Sequence, residues 1–141
     1  MARVKLIIPQ QSIASVQIPV RITDINYGNH MGNDSLVSII HEARVQWLAK
    51  YNYTELNIDG TGLIMSDLAV EYRAEVFYGD TLTVNISATE ISSIGFELYY
   101  HIFNQHNKEI AKAKTGMVCY NYEVKKVAAV PAGLIRILQA V

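Results

Sequence analysis

Between Asp24 and Asn33 the chain reads Asp-Ile-Asn-Tyr-Gly-Asn-His-Met-Gly-Asn. One acid, one histidine, three amides and two glycines fall within ten residues. Asp24 and His30 can each move a proton, whereas Asn26 can only donate or accept hydrogen bonds at neutral pH. A polar, glycine-bearing segment of this kind suits acid–base or oxyanion chemistry if it opens a helix, because the first N–H groups of a helix lack intrahelical partners. A turn with a helix cap explains the asparagines and glycines equally well, but needs neither Asp24 nor His30.

The flanking sequence supplies the elements that would hold such a site. Ala14, Val16, Ile18, Val20 and Ile22 alternate with polar partners, which predicts a strand over 13–23. Leu36, Ile39, Ile40, Ala43 and Trp47 recur at helical spacing, which predicts a helix from about Ser35 to Tyr51. Asn33 or Asp34 is the expected N-cap. Gly32, Asn33 and Asp34 are thus expected to present the helix N-terminus to a substrate. Val37, Val45 and Leu48 widen the apolar face, so the helix is expected to be wrapped by other structure. A minor polar stripe of Ser35, Ser38, Glu42 and Gln46 remains. Glu42 is read either as a catalytic carboxylate on a wet cavity or as a hydrogen-bond partner of Gln46.

The remainder reads as sheet. A short edge segment at Val4–Ile8 is followed by a connection at Pro9–Ser12. A loop spans 57–62, and strands are expected over 67–76, 81–89, 95–103 and 110–122, joined by turns at Gly79-Asp80 and Asn104–Lys108. Pro131 starts a short C-terminal helix. Asp67 begins the second long strand, as a solvated strand-start residue or as a group delivered to a neighbouring subunit's loop. One helix near the start and consecutive antiparallel strands imply an α+β layer fold, with the helix packed on a curved sheet.

Composition narrows the classes. A length of 141 residues fits one domain spanning 1–141, and 50% hydrophobic residues exclude a disordered chain. A net charge of −1 without a basic block argues against nucleic acid or an anionic membrane as partner. Cys119 is the only cysteine, so no internal disulfide forms; its strand-like surroundings suit a buried small hydrophobe. No signal peptide and no apolar run of about 18 residues is present, so a cytoplasmic protein without a membrane span is expected.

Three segments resemble the hotdog-fold thioesterases of the 4-hydroxybenzoyl-CoA thioesterase type. They are the loop Asp24–Asn33, the helical His41-Glu42-Ala43-Arg44, and the strand–turn–strand run from Tyr72 to Leu82. The resemblance covers about residues 14–122. It implies a hotdog fold, an antiparallel sheet of five or more strands wrapped around one long apolar helix. It also implies hydrolysis of an acyl-CoA or acyl-carrier-protein thioester of small or medium acyl size, in a homodimer or homotetramer. No cofactor is expected beyond the coenzyme A of the substrate, and no metal. One departure is chemical: the family's second loop aspartate, often its nucleophile or base, is Asn26 here. The carboxylate must then be Asp24, Glu42 or Asp67, or His30 must be the base, with Asn26 orienting water or an oxyanion. Asp24 could instead simply fix the loop through backbone hydrogen bonds. Two other readings remain open: a hotdog enoyl-thioester hydratase or dehydratase, and a non-catalytic acyl-thioester binding protein.

Overall fold

The computed structural model describes residues 3–140. Its elements are β1 (Ala14–Pro19), a 3-10 turn (Ile22–Asp24), α1 (Asn33–Ala49), β2 (Gly62–Tyr72), β3 (Thr81–Thr89), β4 (Gly95–Phe103), β5 (Glu109–Asn121), β6 (Lys126–Val127) and α2 (Ala132–Leu138). The strands form one six-stranded antiparallel sheet in the order β1-β3-β4-β5-β2, with β6 on β5. The architecture is the expected α+β hotdog.

Period-two alternation explains the central strands. Leu82, Val84 and Ile86 of β3, Leu98, Tyr100 and Ile102 of β4, and Ala111, Ala113 and Met117 of β5 are all buried. Thr83, Asn85, Glu97 and His101 lie between them on the other face and are partly exposed. The buried face meets α1 through Leu36, Ile39, Ile40, Ala43, Trp47 and Leu48. Each leucine and isoleucine among them contributes roughly 1.5–3 kcal/mol on burial, which holds helix and sheet together.

Several expectations shift. Strand β1 ends at Pro19, and Ile22 is exposed. The ladder gives way after Val20 donates to the Asp80 carbonyl, and the Asp24 carboxylate takes the Arg21 N–H, turning the chain. Arg3–Ile8 forms no strand; its Leu6 N–H donates to Glu71 Oε1 at 3.0 Å. Strand β2 begins at Gly62, carries an irregularity between Met65 and Asp67, and stops at Tyr72. Arg73 and Ala74 N–H both turn to the Ile110 carbonyl, so Ala74 and Val76 lie beyond the ladder. Because β2 is an edge strand, Ile64, Met65, Leu68 and Tyr72 stay exposed despite their apolar pattern. The helix is covered on one side only. Leu48 is buried, but Val45 is exposed along with Ser38, His41, Glu42 and Gln46, because the sheet curls around the opposite stripe.

Candidate active site

The loop from Asp24 to Gly32 is a compact, internally bonded structure. Asn26 and His30 close it through Asn26 N–H to the His30 carbonyl at 3.0 Å. Asn29 adopts φ 64°, a left-handed conformation that asparagine tolerates. Met31 N–H donates to the Val76 carbonyl at 2.7 Å, which ties the loop to the segment after β2. Gly32 N–H donates to the Asp24 carbonyl. The helix then starts with Gly32 as N-cap, rather than Asn33 or Asp34, because the Gly32 carbonyl takes the Ser35 and Leu36 N–H groups. No side chain caps this end. The N–H groups of Asn33 and Asp34 find no acceptor among the described residues, so they are free to meet an anion.

His30 stands at this helix end with its Nδ1 3.2 Å from the Met31 carbonyl. A carbonyl only accepts, so this bond requires the proton on Nδ1 and leaves Nε2 as the basic nitrogen. A Cβ built on Gly28 would sit 3.0 Å from Nε2 and 3.2 Å from Cδ2 of His30. The absence of a side chain at Gly28 leaves room for the imidazole.

Beside the loop is a cleft of about 270 Å³. His30, Gly32 and Asn33 line one side, Tyr72 and Glu75 the other, and Leu36, Val76 and Ile110 supply apolar surface. The Tyr72 hydroxyl donates to the Asn33 carbonyl at 3.1 Å, which fastens edge strand to helix end. Burial, then the nearby Asp34, raises the Tyr72 pKa.

The other candidates are placed differently. Asp24 is 4% exposed, and its carboxylate is engaged by Arg21: backbone N–H to Oδ2 at 2.9 Å and Nη2 to Oδ1 at 3.2 Å. That arrangement fixes the loop; the carboxylate does not line the cleft. Asn26 Oδ1 accepts Gly28 N–H at 2.8 Å, so the amide NH₂ is left to donate. Its Nδ2 lies 3.8 Å from where a Gly32 Cβ would be, beside the helix start. Glu42 is exposed, accepts from Gln46 Nε2 at 2.7 Å, and faces a separate groove with Arg21, Ser38 and His41. Asp67 sits on β2, where it accepts from Lys114 Nζ at 2.9 Å and Gly116 N–H at 3.0 Å. The lysine and that backbone bond hold its carboxyl below the usual range. Within one chain, then, His30, Gly32 and Asn33 converge on the cleft, with Asp24 and Asn26 supporting the loop and Glu42 and Asp67 elsewhere. Among the described residues no group of three or more His, Cys, Asp and Glu is arranged to hold a metal.

Sequence reasoning also passed over a buried network. Arg44, 6% exposed, donates from Nε to Glu55 Oε2 at 3.0 Å and from Nη1 to Tyr100 Oη at 3.3 Å. The Tyr100 hydroxyl also bonds Thr115 Oγ1 at 2.8 Å, and His41 reaches the other Glu55 oxygen. These groups lie 11 to 56 residues apart in sequence, so no local period announces them. The network pins the mid-helix Arg44 to the loop after α1 and to the sheet.

A curled antiparallel sheet packed on one helix that opens onto a polar loop is the hotdog architecture. Residues 20–138 match the sequence profile of the thioesterase-like superfamily, and the chain belongs to that superfamily. A 1,4-dihydroxy-2-naphthoyl-CoA hydrolase from Crocosphaera subtropica is 32% identical over 59 residues. That match spans 40% of this chain and 43% of the relative's length. The structure of a 1,4-dihydroxy-2-naphthoyl-CoA thioesterase from Synechocystis superposes with a TM-score of 0.80 at 23% identity, covering 88% of this chain and 93% of that one. A Staphylococcus aureus protein solved in complex with CoA gives 0.81 at 15% identity, covering 95% and 85%. At these identities the structural likeness establishes the fold. No helix among the described residues is long and apolar enough to cross a membrane.

Proposed function

We propose that this protein hydrolyses acyl-CoA thioesters, with the 270 Å³ cleft as acyl site and His30 as general base. The observation that carries the reading is the convergence of a histidine with a free Nε2 and a helix N-terminus with unpartnered N–H groups at one cleft. Nε2 takes a proton from water as the oxygen attacks the thioester carbonyl. The oxyanion that forms is met by the N–H groups of Asn33 and Asp34 and by the Asn26 amide, which stabilise developing charge without reorganisation. As the C–S bond breaks, the imidazolium returns the proton to the leaving thiolate. The superfamily and the relatives named for aryl-CoA hydrolysis support this chemistry and make aromatic as well as aliphatic acyl groups candidates.

A homodimer or homotetramer belongs to the same proposal. Strand β2 exposes a free edge bearing Met65 and Leu68, and the cleft lies at its end. Unpaired edge groups favour pairing with a second copy, which could bring the partner's Asp67 or Glu42 to the site. The test is release of free thiol from a panel of acyl-CoAs and an acyl-carrier-protein thioester. His30→Ala should lower the rate by about 10²–10⁴-fold. Absence of thiol release from every member, or full activity in His30→Ala, would overturn the reading.

A further inference from the structure

Tyr72 lines two hollows. One is the 270 Å³ cleft with His30, Leu36 and Ile110. The other is a hollow of about 230 Å³, lined by Arg3, Val4, Val70, Glu71 and Tyr72. Arg3 and Val4 of the N-terminal segment border this second space, and the segment is held by the bond from Leu6 N–H to Glu71 Oε1. Tyr72 is the residue shared between the two linings. Its ring is not free to swing, because the hydroxyl is fastened to the Asn33 carbonyl at the helix start.

We infer that Tyr72 is a fixed partition that sets the length of the acyl chain, and that the hollow bordered by Arg3 and Val4 is the blocked continuation of the acyl site. The inference rests on the thioesterase reading for its ligand. A methylene is close in size to a water molecule, which takes about 30 Å³ of the liquid, so the cleft alone holds roughly nine such groups. With the ring removed the second hollow adds nearly as many. Val4 and Val70 give that extension apolar walls, while Arg3 and Glu71 are the charged members of its lining. Each methylene that gains cover is worth about a fourfold increase in binding or kcat/KM.

The experiment compares wild type, Tyr72→Phe and Tyr72→Ala, with folding checked by circular dichroism. Hydrolysis is followed on hexanoyl-, octanoyl- and dodecanoyl-CoA, and binding on the matching non-hydrolysable alkyl-CoA thioethers. Tyr72→Phe keeps the ring but removes its tether to the Asn33 carbonyl, so it should shift the length preference less than Tyr72→Ala does. Tyr72→Ala should raise the dodecyl-to-hexyl ratio at least tenfold, and adding Val70→Phe should return it toward wild type. Tyr72→Leu replaces Tyr72→Ala if the latter does not fold. An unchanged length profile in the folded variant overturns the partition. Thioether binding keeps the two ideas apart. A shifted binding profile without any turnover retains the partition and removes the hydrolase reading; turnover with an unshifted profile does the reverse. Failure of both proteins to bind any thioether overturns the partition.

Discussion

Gly28→Ala separates catalysis from stability in a single methyl group. Gly28 does not occupy the left-handed region, so alanine fits its backbone. Reduced freedom of the unfolded chain would by itself stabilise by about 0.4–1 kcal/mol. The new Cβ, however, meets His30 Nε2 at 3.0 Å, His30 Cδ2 at 3.2 Å and Asn26 Oδ1 at 3.3 Å. The imidazole must move a few tenths of an ångström, and it is the ring's basic nitrogen that is crowded most. A misplacement of about 1 Å costs about 10²-fold in rate, so a shift of this size should cost roughly three- to tenfold in kcat. Thermal unfolding should stay within a few degrees of wild type, because gain and crowding offset each other. The assay is thiol release at saturating acyl-CoA beside a melting curve. Gly60→Ala is the converse control: φ is +90° with open space around it, so it should lower stability with turnover unchanged. Wild-type kcat in Gly28→Ala, or a rate loss that merely follows a loss of folded protein, would refute the placement of His30 as base.

Asn26→Asp tests the oxyanion role. A carboxylate cannot donate, so turnover should fall about 10²-fold in the thiol-release assay; a rise would reassign residue 26 as the site of a base. Arg44→Met should destabilise by about 3 kcal/mol in urea unfolding, since it leaves the half-buried Glu55 carboxylate only the exposed His41 and takes a donor from the buried Tyr100 hydroxyl, whereas Tyr100→Phe should cost about 1 kcal/mol. Equal losses would show that the network is not the anchor described. Burial pushes the Cys119 thiol up to about 11, so native protein should resist iodoacetamide at pH 8 and react on unfolding, read by mass spectrometry. The Asp67 carboxyl is depressed by Lys114 and then by Gly116 N–H. Its contribution is therefore present above the ordinary Asp range and is lost as pH falls through the lowered value. Lys114→Met should return the Asp67 titration toward that range in an NMR pH series. With Asp67 56% exposed, the accompanying stability change should be under about 1 kcal/mol.

Local pattern alone was enough to place β3, β4, β5 and α1 close to their observed bounds, because the burial they need recurs every second residue in a strand or every third to fourth in a helix. It also marked the Asp24–Asn33 loop, since acid, histidine, amides and glycines rarely gather where a plain turn would do. What each loop residue does was decided by hydrogen bonds that periodicity does not report, most of them local and one, Met31 N–H to the Val76 carbonyl, remote. The Asp24 carboxylate is taken by Arg21, His30 is oriented by the Met31 carbonyl, and Gly32 displaces Asn33 and Asp34 as cap because its carbonyl is the one in reach. The polar stripe of α1 looked like a cavity lining but faces a groove apart from His30, since the sheet covers only one side of the helix. In sequence Tyr72 is one more residue of the strand expected over 67–76. It became a cleft wall because β2 lies at the sheet edge and ends there, where its hydroxyl meets a helix 39 residues earlier in the chain. Periodicity reports which side of an element is apolar; which elements meet, and so which walls face the locally ordered loop, depends on pairings remote in sequence such as Tyr72 with Asn33 and Met31 with Val76.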